Sequence, residues 1–137
     1  MSSAASQRGG LELLLDWVEA LRKGDLEAIQ ELLTADVVWY GLSTDLVCAG
    51  RAAVLDVLGE QVPVRCDADA FELLRAPRHL VLGTRSDQLP RPPGIDLRGQ
   101  IYSVFEPRDG AFATIRDFSR RADALNAAGL TGWTVWV

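Results

Sequence analysis

The chain has few of the side chains that bind transition metals or carry redox chemistry. Its 137 residues include one histidine, one methionine and two cysteines. Cys48 and Cys66 lie apart in the sequence and form no CxxC motif, so a metal site or a redox pair is not favoured. No phosphate-binding loop is present, and no GxGxxG motif follows a strand-like run. We therefore expect neither a metal nor a cofactor.

Positive charge and long apolar runs are also scarce. The chain has 14 Lys and Arg residues against 19 Asp and Glu, and its formal net charge is -5 at pH 7. Nucleic-acid binding needs a basic face, and the cations here are scattered along the chain. No apolar stretch reaches the roughly 18 to 20 residues that span a bilayer, and the N-terminus lacks a signal-peptide core. We expect a cytoplasmic protein that binds neither nucleic acid nor a membrane.

The apolar residues that are present are enough for one core. They make up 48% of the chain, and a chain of 137 residues is too short for two ordinary domains. Residues 1–9 are small and polar, and we predict that they are disordered. Residues 10–137 are predicted to form a single domain.

The first half of the chain has the pattern of helices. Apolar residues recur at helical spacing over residues 11–21, which predicts an amphipathic helix. Gly24 ends this helix, and Asp25 is a suitable N-cap for a second, short helix. A third helix is predicted over residues 51–62, where Pro63 stops it. The apolar side of the second helix is predicted to consist of Leu26, Ile29, Leu32 and Leu33.

The second half of the chain has the pattern of strands. Residues 37–40 predict a first strand, residues 41–50 a loop, and the Asp109-Gly110 pair a tight hairpin turn. Helices followed by consecutive antiparallel strands indicate an α+β fold, in which helices cover one face of a curved, mostly antiparallel sheet that encloses a pocket. The four later strands are predicted at residues 71–74, 79–87, 97–106 and 111–118.

Charged residues lie on two of these predicted strands. Strand alternation places Arg85 and Asp87 on the same face as Val81, and Asp117 on the same face as Ile115. Charges on an apolar face are costly unless they are paired, so we expect two carboxylates with an arginine between them. Such a cluster is suited to acid/base chemistry. Alternatively, Arg85 and Asp87 form a surface salt bridge, and Asp117 is a solvated residue at the end of its strand.

Other polar residues are weaker candidates. His79 lies on the predicted face of Arg85, where it would be a general base near pH 7, or it is a residue of the pocket rim. Gln100 and Tyr102 share a face of their strand and would orient a ligand if that face points inward. If it points outward, the alternate residues line the interior instead: Ile101, Ser103 and Phe105.

The chain resembles the nuclear-transport-factor-like superfamily. The resemblance lies in the Leu-x-x-Gly-Asp-Leu-Glu-Ala-Ile-x-x-Leu-Leu-x-x-Asp-Val segment at residues 21–37, in Val104-Phe105 with Asp109-Gly110, and in Arg116-Asp117-Phe118. The superfamily includes SnoaL-like cyclases, ketosteroid isomerase and limonene epoxide hydrolase. The resemblance implies a cone-shaped barrel whose pocket binds a small apolar molecule. It also implies a homodimer, with which an apolar tail containing Trp133 and Trp136 is consistent.

Within this superfamily, the Arg-x-Asp and Arg-Asp-Phe strand endings are most similar to limonene epoxide hydrolase. That resemblance implies that Asp87 protonates the epoxide oxygen, that Asp117 deprotonates a water, and that Arg85 bridges both. Trp39 and Gly41 stand where the family has a tyrosine and an asparagine that hold the water. Trp39 has only one hydrogen-bond donor and Gly41 has no side chain, so Trp39 is expected to line the pocket instead. Two alternatives are a binding domain without catalysis and a cyclase or isomerase that uses one carboxylate.

Overall fold

Four helices are present in the part of the chain that the structure describes. The structure is a computed structural model, and it describes residues 10–42, 46–65, 70–86 and 99–130. Gly24 follows the first helix with a φ of 64°, and Asp25 caps the second by accepting a hydrogen bond from the N–H of Ala28. Both predicted helix boundaries are therefore confirmed. The helices are α1 (Leu11–Lys23), α2 (Leu26–Glu31), α3 (Arg51–Arg65) and α4 (Arg121–Ala127).

The described strands form one six-stranded sheet. Its strand order is β2-β1-β6-β5-β4-β3, in which β1 and β6 are parallel and the other neighbours are antiparallel. This architecture confirms the predicted α+β fold with a mixed, mostly antiparallel sheet. The strands are β1 (Leu33–Tyr40), β2 (Val47–Ala49), β3 (Ala70–Arg75), β4 (Leu80–Arg85), β5 (Gln100–Arg108) and β6 (Ala111–Phe118).

Some element boundaries differ from the predictions. β1 begins at Leu33, which was assigned to the second helix, because Leu33 pairs with Phe112 of β6. β2 lies within the predicted loop and pairs with β1, a contact with no local sequence signal. α3 continues past Pro63 to Arg65. A missing N–H in the last turn removes only one helical hydrogen bond, so a proline there is tolerated.

Helices cover both faces of the sheet. The inner face, as we call it, points toward α1, α2 and α3, and its Trp39, Phe105 and Ile115 belong to one buried cluster with Trp17 of α1. The ring centroids of Trp17 and Phe105 are 5.3 Å apart in an edge-to-face arrangement. The core of the protein therefore lies mainly between α1–α3 and the inner face.

The opposite face, the outer face, is covered in part by α4. Val81, Tyr102 and Val104 form a second buried cluster with Ala124 of α4 and with Ala128. The sequence pattern did not predict α4, which has only seven residues, two of them buried: Ala124 and Leu125. The sheet thus has buried apolar residues on both faces.

Several predicted features lie outside the described residues. They are the N-terminal segment 1–9 together with Cys66, Asp87, Trp133 and Trp136. Cys48 is described, and it is a buried, free cysteine whose thiol pKa is raised by burial. None of the described helices is long and apolar enough to cross a membrane.

Candidate functional site

The carboxylate of Asp117 is buried on the inner face and hydrogen-bonded at both oxygens. The Ser103 hydroxyl donates to Oδ1 at 2.6 Å, and the Trp39 indole N–H donates to Oδ2 at 2.9 Å. Asp117 is 8% exposed, and Ser103 and Trp39 are each 3% exposed. Asp117 is thus placed on the same face as Ile115, and two neutral donors from neighbouring strands hold its side chain.

Strand pairing explains how three strands place these groups together. Ser103 of β5 is paired directly with Asp117 of β6. Trp39 of the parallel strand β1 is paired with Ile115, two residues before Asp117 on the same face. A side chain as long as tryptophan can reach a residue one position diagonally across a sheet. The indole was expected only to line the pocket, but it is a hydrogen-bond donor to the carboxylate.

Thr84 and Ser86 are the buried polar residues at the end of β4. Thr84 is paired with Ile101, which places it on the inner face, and each of the two polar residues is 2% exposed. Arg85, between them, is paired with Gln100 and is exposed. The prediction that Arg85 joins Asp117 is therefore wrong, since the two lie on opposite faces of the sheet.

The physical reason is that β4 is buried on both faces. Val81, whose face was predicted to be the interior one, is buried, but it is buried on the outer face beneath α4. Leu80 and Leu82 are buried on the inner face. A strand that is apolar on both faces gives no alternation to show which face is which, and a shift of one residue exchanges them. The predicted partner Asp87 lies outside the described residues.

Tyr102 and Gln100 are also on the outer face, where they do not meet Asp117. Tyr102 is paired with Gly83, and its hydroxyl donates to Glu72 Oε1 at 3.0 Å. Burial and the nearby Glu72 carboxylate raise the pKa of Tyr102. Of the two alternatives stated for this strand, the structure has the second one, in which the inward residues are Ile101, Ser103 and Phe105.

His79 is not brought to Asp117 either. It lies in the turn before β4, where its backbone carbonyl accepts a hydrogen bond from the N–H of Ala76. Its side chain is partly exposed. The roles predicted for His79, as a residue of the pocket rim or as a binding residue, stay predictions.

Four polar residues are buried in the part of the chain that the structure describes. One is a carboxylate, the others are hydroxyls, and each belongs to β4, β5 or β6 or directly follows β4. Within those same residues, no three His, Cys, Asp or Glu side chains are placed to hold a metal ion. A hydrogen-bonded carboxylate with nearby hydroxyl donors can move a proton and stabilise a developing negative charge. The four residues are Thr84, Ser86, Ser103 and Asp117.

Comparison with known proteins relates this chain to others through its fold. No family model and no curated protein match the sequence. A solved structure from Sinorhizobium meliloti, provisionally named a polyketide cyclase, has a TM-score of 0.55 and 18% identity over 78% of this chain and 94% of that chain. A protein from Xanthomonas campestris with the same provisional name has a TM-score of 0.61 and 17% identity, over 89% and 97%.

An NTF2-like protein of unknown function from Burkholderia pseudomallei also matches. Its TM-score is 0.60 with 16% identity, over 85% of this chain and 94% of that one. Identities at this level show a shared fold and leave the activity open. The chain therefore has the NTF2-like fold, and a specific relation to limonene epoxide hydrolase is not established.

Proposed function

We propose that this chain is a cofactor-free acid/base enzyme in which Asp117 moves a proton on a small, mostly apolar substrate, as a cyclase or isomerase does. The observation that carries the proposal is the buried carboxylate held between Ser103 and Trp39. The provisional names of the structural neighbours support the same class of chemistry. Their low identity means that the argument for this chain rests on its own residues.

Asp117 is proposed as the general base. The carboxylate takes a proton from a carbon next to a substrate carbonyl, so that the C–H bond breaks and its electron pair moves to the carbonyl oxygen. The Ser103 hydroxyl and the Trp39 indole each donate one hydrogen bond to this carboxylate. They hold the base in one orientation, which is a major part of what an enzyme adds to proton transfer.

The hydroxyls at the end of β4 are proposed as donors to the new oxyanion. Thr84 lies on the inner face and is the diagonal neighbour of Ser103 on the adjacent strand. Diagonal neighbours in a sheet are roughly 7–8 Å apart. A substrate carbonyl oxygen between β4 and β6 would be close to this hydroxyl and to that of Ser86. Fixed donors in an apolar interior stabilise a developing charge far more than water does.

Epoxide hydrolysis is a weaker candidate for this site. The resemblance to limonene epoxide hydrolase assigns Arg85 to bridging two carboxylates, but Arg85 lies on the outer face. Trp39 donates its one N–H to Asp117 and has no acceptor with which to orient a water. Binding without catalysis remains the alternative from a different class, because the fold hosts many unrelated functions.

Deuterium exchange tests the proposal without knowledge of the natural substrate. Small β-dicarbonyl compounds are incubated with the protein in D₂O, and α-deuteration is followed by NMR. The wild type should accelerate exchange, and Asp117→Asn should lower the rate about 100-fold or more. Arg116→Gln, on β6 beside Asp117 but on the outer face, is the matched control and should keep the wild-type rate.

Two further assays separate the alternatives. A racemic epoxide panel that is hydrolysed in an Asp117-dependent way would favour the hydrolase instead. Thermal stabilisation by small apolar compounds, with no turnover of any compound, would favour a binding domain. Equal exchange by wild type and Asp117→Asn would contradict the proposed base.

Dimerisation and a cytoplasmic location stay predictions. The apolar tail that is consistent with a dimer contains Trp133 and Trp136, which lie outside the described residues. Light scattering should give about twice the mass of the 14.9 kDa chain. A monomer mass would reject the predicted homodimer.

A further inference from the structure

The outer face has a cavity of its own, between β3, β4 and β5. Its volume is about 270 Å³, and the residues that line it include Glu72, Gly83, Arg85, Gln100 and Tyr102. Arg85, Gln100 and Tyr102 were predicted for the site of Asp117, but the strand pairing places them here, on the opposite face. A cavity of this size can hold a small organic molecule.

A glycine and a tyrosine shape this cavity. Gly83 is paired with Tyr102, and a Cβ on Gly83 would lie only 2.6 Å from Tyr102 Cε2. The absence of a side chain at Gly83 therefore lets the tyrosine ring lie over the strand. Tyr102 is 5% exposed, and its hydroxyl is fixed by Glu72. The ring forms a rigid apolar wall.

Among the described residues around the cavity, positive charge exceeds negative charge. The Glu72 carboxylate accepts two hydrogen bonds from the Arg121 guanidinium, at 3.0 and 3.1 Å, and one from Tyr102. Glu72 is therefore neutralised by Arg121. Arg85 has no hydrogen bond or ion pair to any other described residue. Among the residues of this cavity that the structure describes, one positive charge is therefore left over, on Arg85, which is paired across the strands with Gln100.

We propose that this outer cavity binds a small carboxylate with an apolar body. Arg85 and Gln100 take the carboxylate, and the ring of Tyr102 packs against the body. A guanidinium presents two parallel N–H donors that match the two oxygens of a planar carboxylate. This site lies on the face opposite Asp117, so it is independent of the proposed acid/base function.

Binding of 3-phenylpropionate tests the site. The probe is titrated into ¹⁵N-labelled protein, and its uncharged amide, 3-phenylpropanamide, is titrated in parallel. We expect the acid to shift the backbone amide signals of Gly83, Gln100 and Tyr102, and to bind more weakly as salt is added. Arg85→Gln should weaken binding about tenfold, the effect of one charge-assisted hydrogen-bonded contact. Asp117→Asn should leave the affinity unchanged.

Two variants make the test specific. Arg116→Gln removes the same charge from the outer face of β6 and should keep the affinity within about twofold, since Arg116 packs over Tyr40 and not at this cavity. Gly83→Ala keeps Arg85 but displaces the Tyr102 ring, and it should also weaken binding. Equal affinities for the acid and the amide would overturn the proposal. Equal losses in Arg85→Gln and Arg116→Gln, or shifts centred on Ser103 and Asp117, would also overturn it.

Discussion

The two faces of the sheet bury polar groups in different ways. On the inner face, a carboxylate accepts hydrogen bonds from a hydroxyl and an indole, which are neutral donors. On the outer face, Glu72 is joined to Arg121 by a two-bond ion pair and to Tyr102 by a hydrogen bond. Neutral donors hold a carboxylate in place without cancelling its charge. We propose that the inner carboxylate serves chemistry, whereas the ion pair of the outer face joins α4 to the sheet.

Removal of a buried side chain from each face compares the two cores directly. Phe105 is buried on the inner face and its neighbour Val104 on the outer face. Phe105→Ala should lower the free energy of unfolding by about 3–5 kcal/mol, because it removes a ring packed against Trp17 and leaves a cavity. Val104→Ala should cost about 1.5–2 kcal/mol, since it removes two methyl groups. Urea unfolding measures both, and equal losses would contradict a core that lies mainly on the inner side.

Removal of a donor tests how the inner carboxylate is held. Ser103→Ala deletes the 2.6 Å hydrogen bond and should lower the free energy of unfolding by about 1–3 kcal/mol, because Asp117 stays buried. The variant should also lower the α-deuteration rate, because the base loses one of the two groups that orient it. Ser119→Ala, at a partly exposed position just after β6, is the matched control and should change neither quantity.

The pH dependence of stability tests the outer face. The pKa of Tyr102 is raised, first by burial and then by Glu72. In the unfolded chain the phenol ionises near its ordinary pKa of about 10, so above that pH the unfolded state binds fewer protons than the folded state. The stability contributed by Tyr102 is thus fully present below about pH 10 and is lost as pH rises toward the folded pKa. In Tyr102→Phe, this part of the loss of stability above about pH 10 should be missing. Urea unfolding measures the free energy at each pH, and an equal loss in the wild type and the variant would show that Tyr102 does not cause it.

The smallest effect is expected on the surface of α1. Lys23 and Glu19 form an exposed ion pair at 2.8 Å, which lowers the pKa of Glu19 and raises that of Lys23. Exposed pairs are screened by water and salt and contribute little. Lys23→Gln should leave the urea midpoint within error of the wild type, in contrast to both buried clusters. A clear decrease in the urea midpoint would show that this exposed ion pair contributes measurably to stability.

Local sequence signals predicted part of the fold and one part of the site. Helical spacing, Gly24 and Asp25 located α1 and α2, and Asp109-Gly110 located the last hairpin. The alternation around Ile115 placed Asp117 on a buried face. These features depend on neighbouring residues alone, which is why the sequence was enough to find them.

The partners of Asp117 depend on contacts between strands. The Asp109-Gly110 turn pairs Pro107 with Phe112, and that register alone would place Tyr102 opposite Asp117. The next pair is Glu106 with Thr114, so Ala113 is an extra residue that moves Ser103 opposite Asp117. A bulge of this kind shifts every later pair by one position. Pro107 is a weak sequence signal that the pairing is irregular there.

We propose that the inner face carries the chemistry through Asp117. The most direct test is the rate of α-deuteration of a β-dicarbonyl compound by the wild type, by Asp117→Asn and by Arg116→Gln. We expect the Asp117 variant to lose about 100-fold or more and the Arg116 variant to keep its rate. Wild-type exchange that persists unchanged in Asp117→Asn would contradict the proposed role of Asp117 as the base.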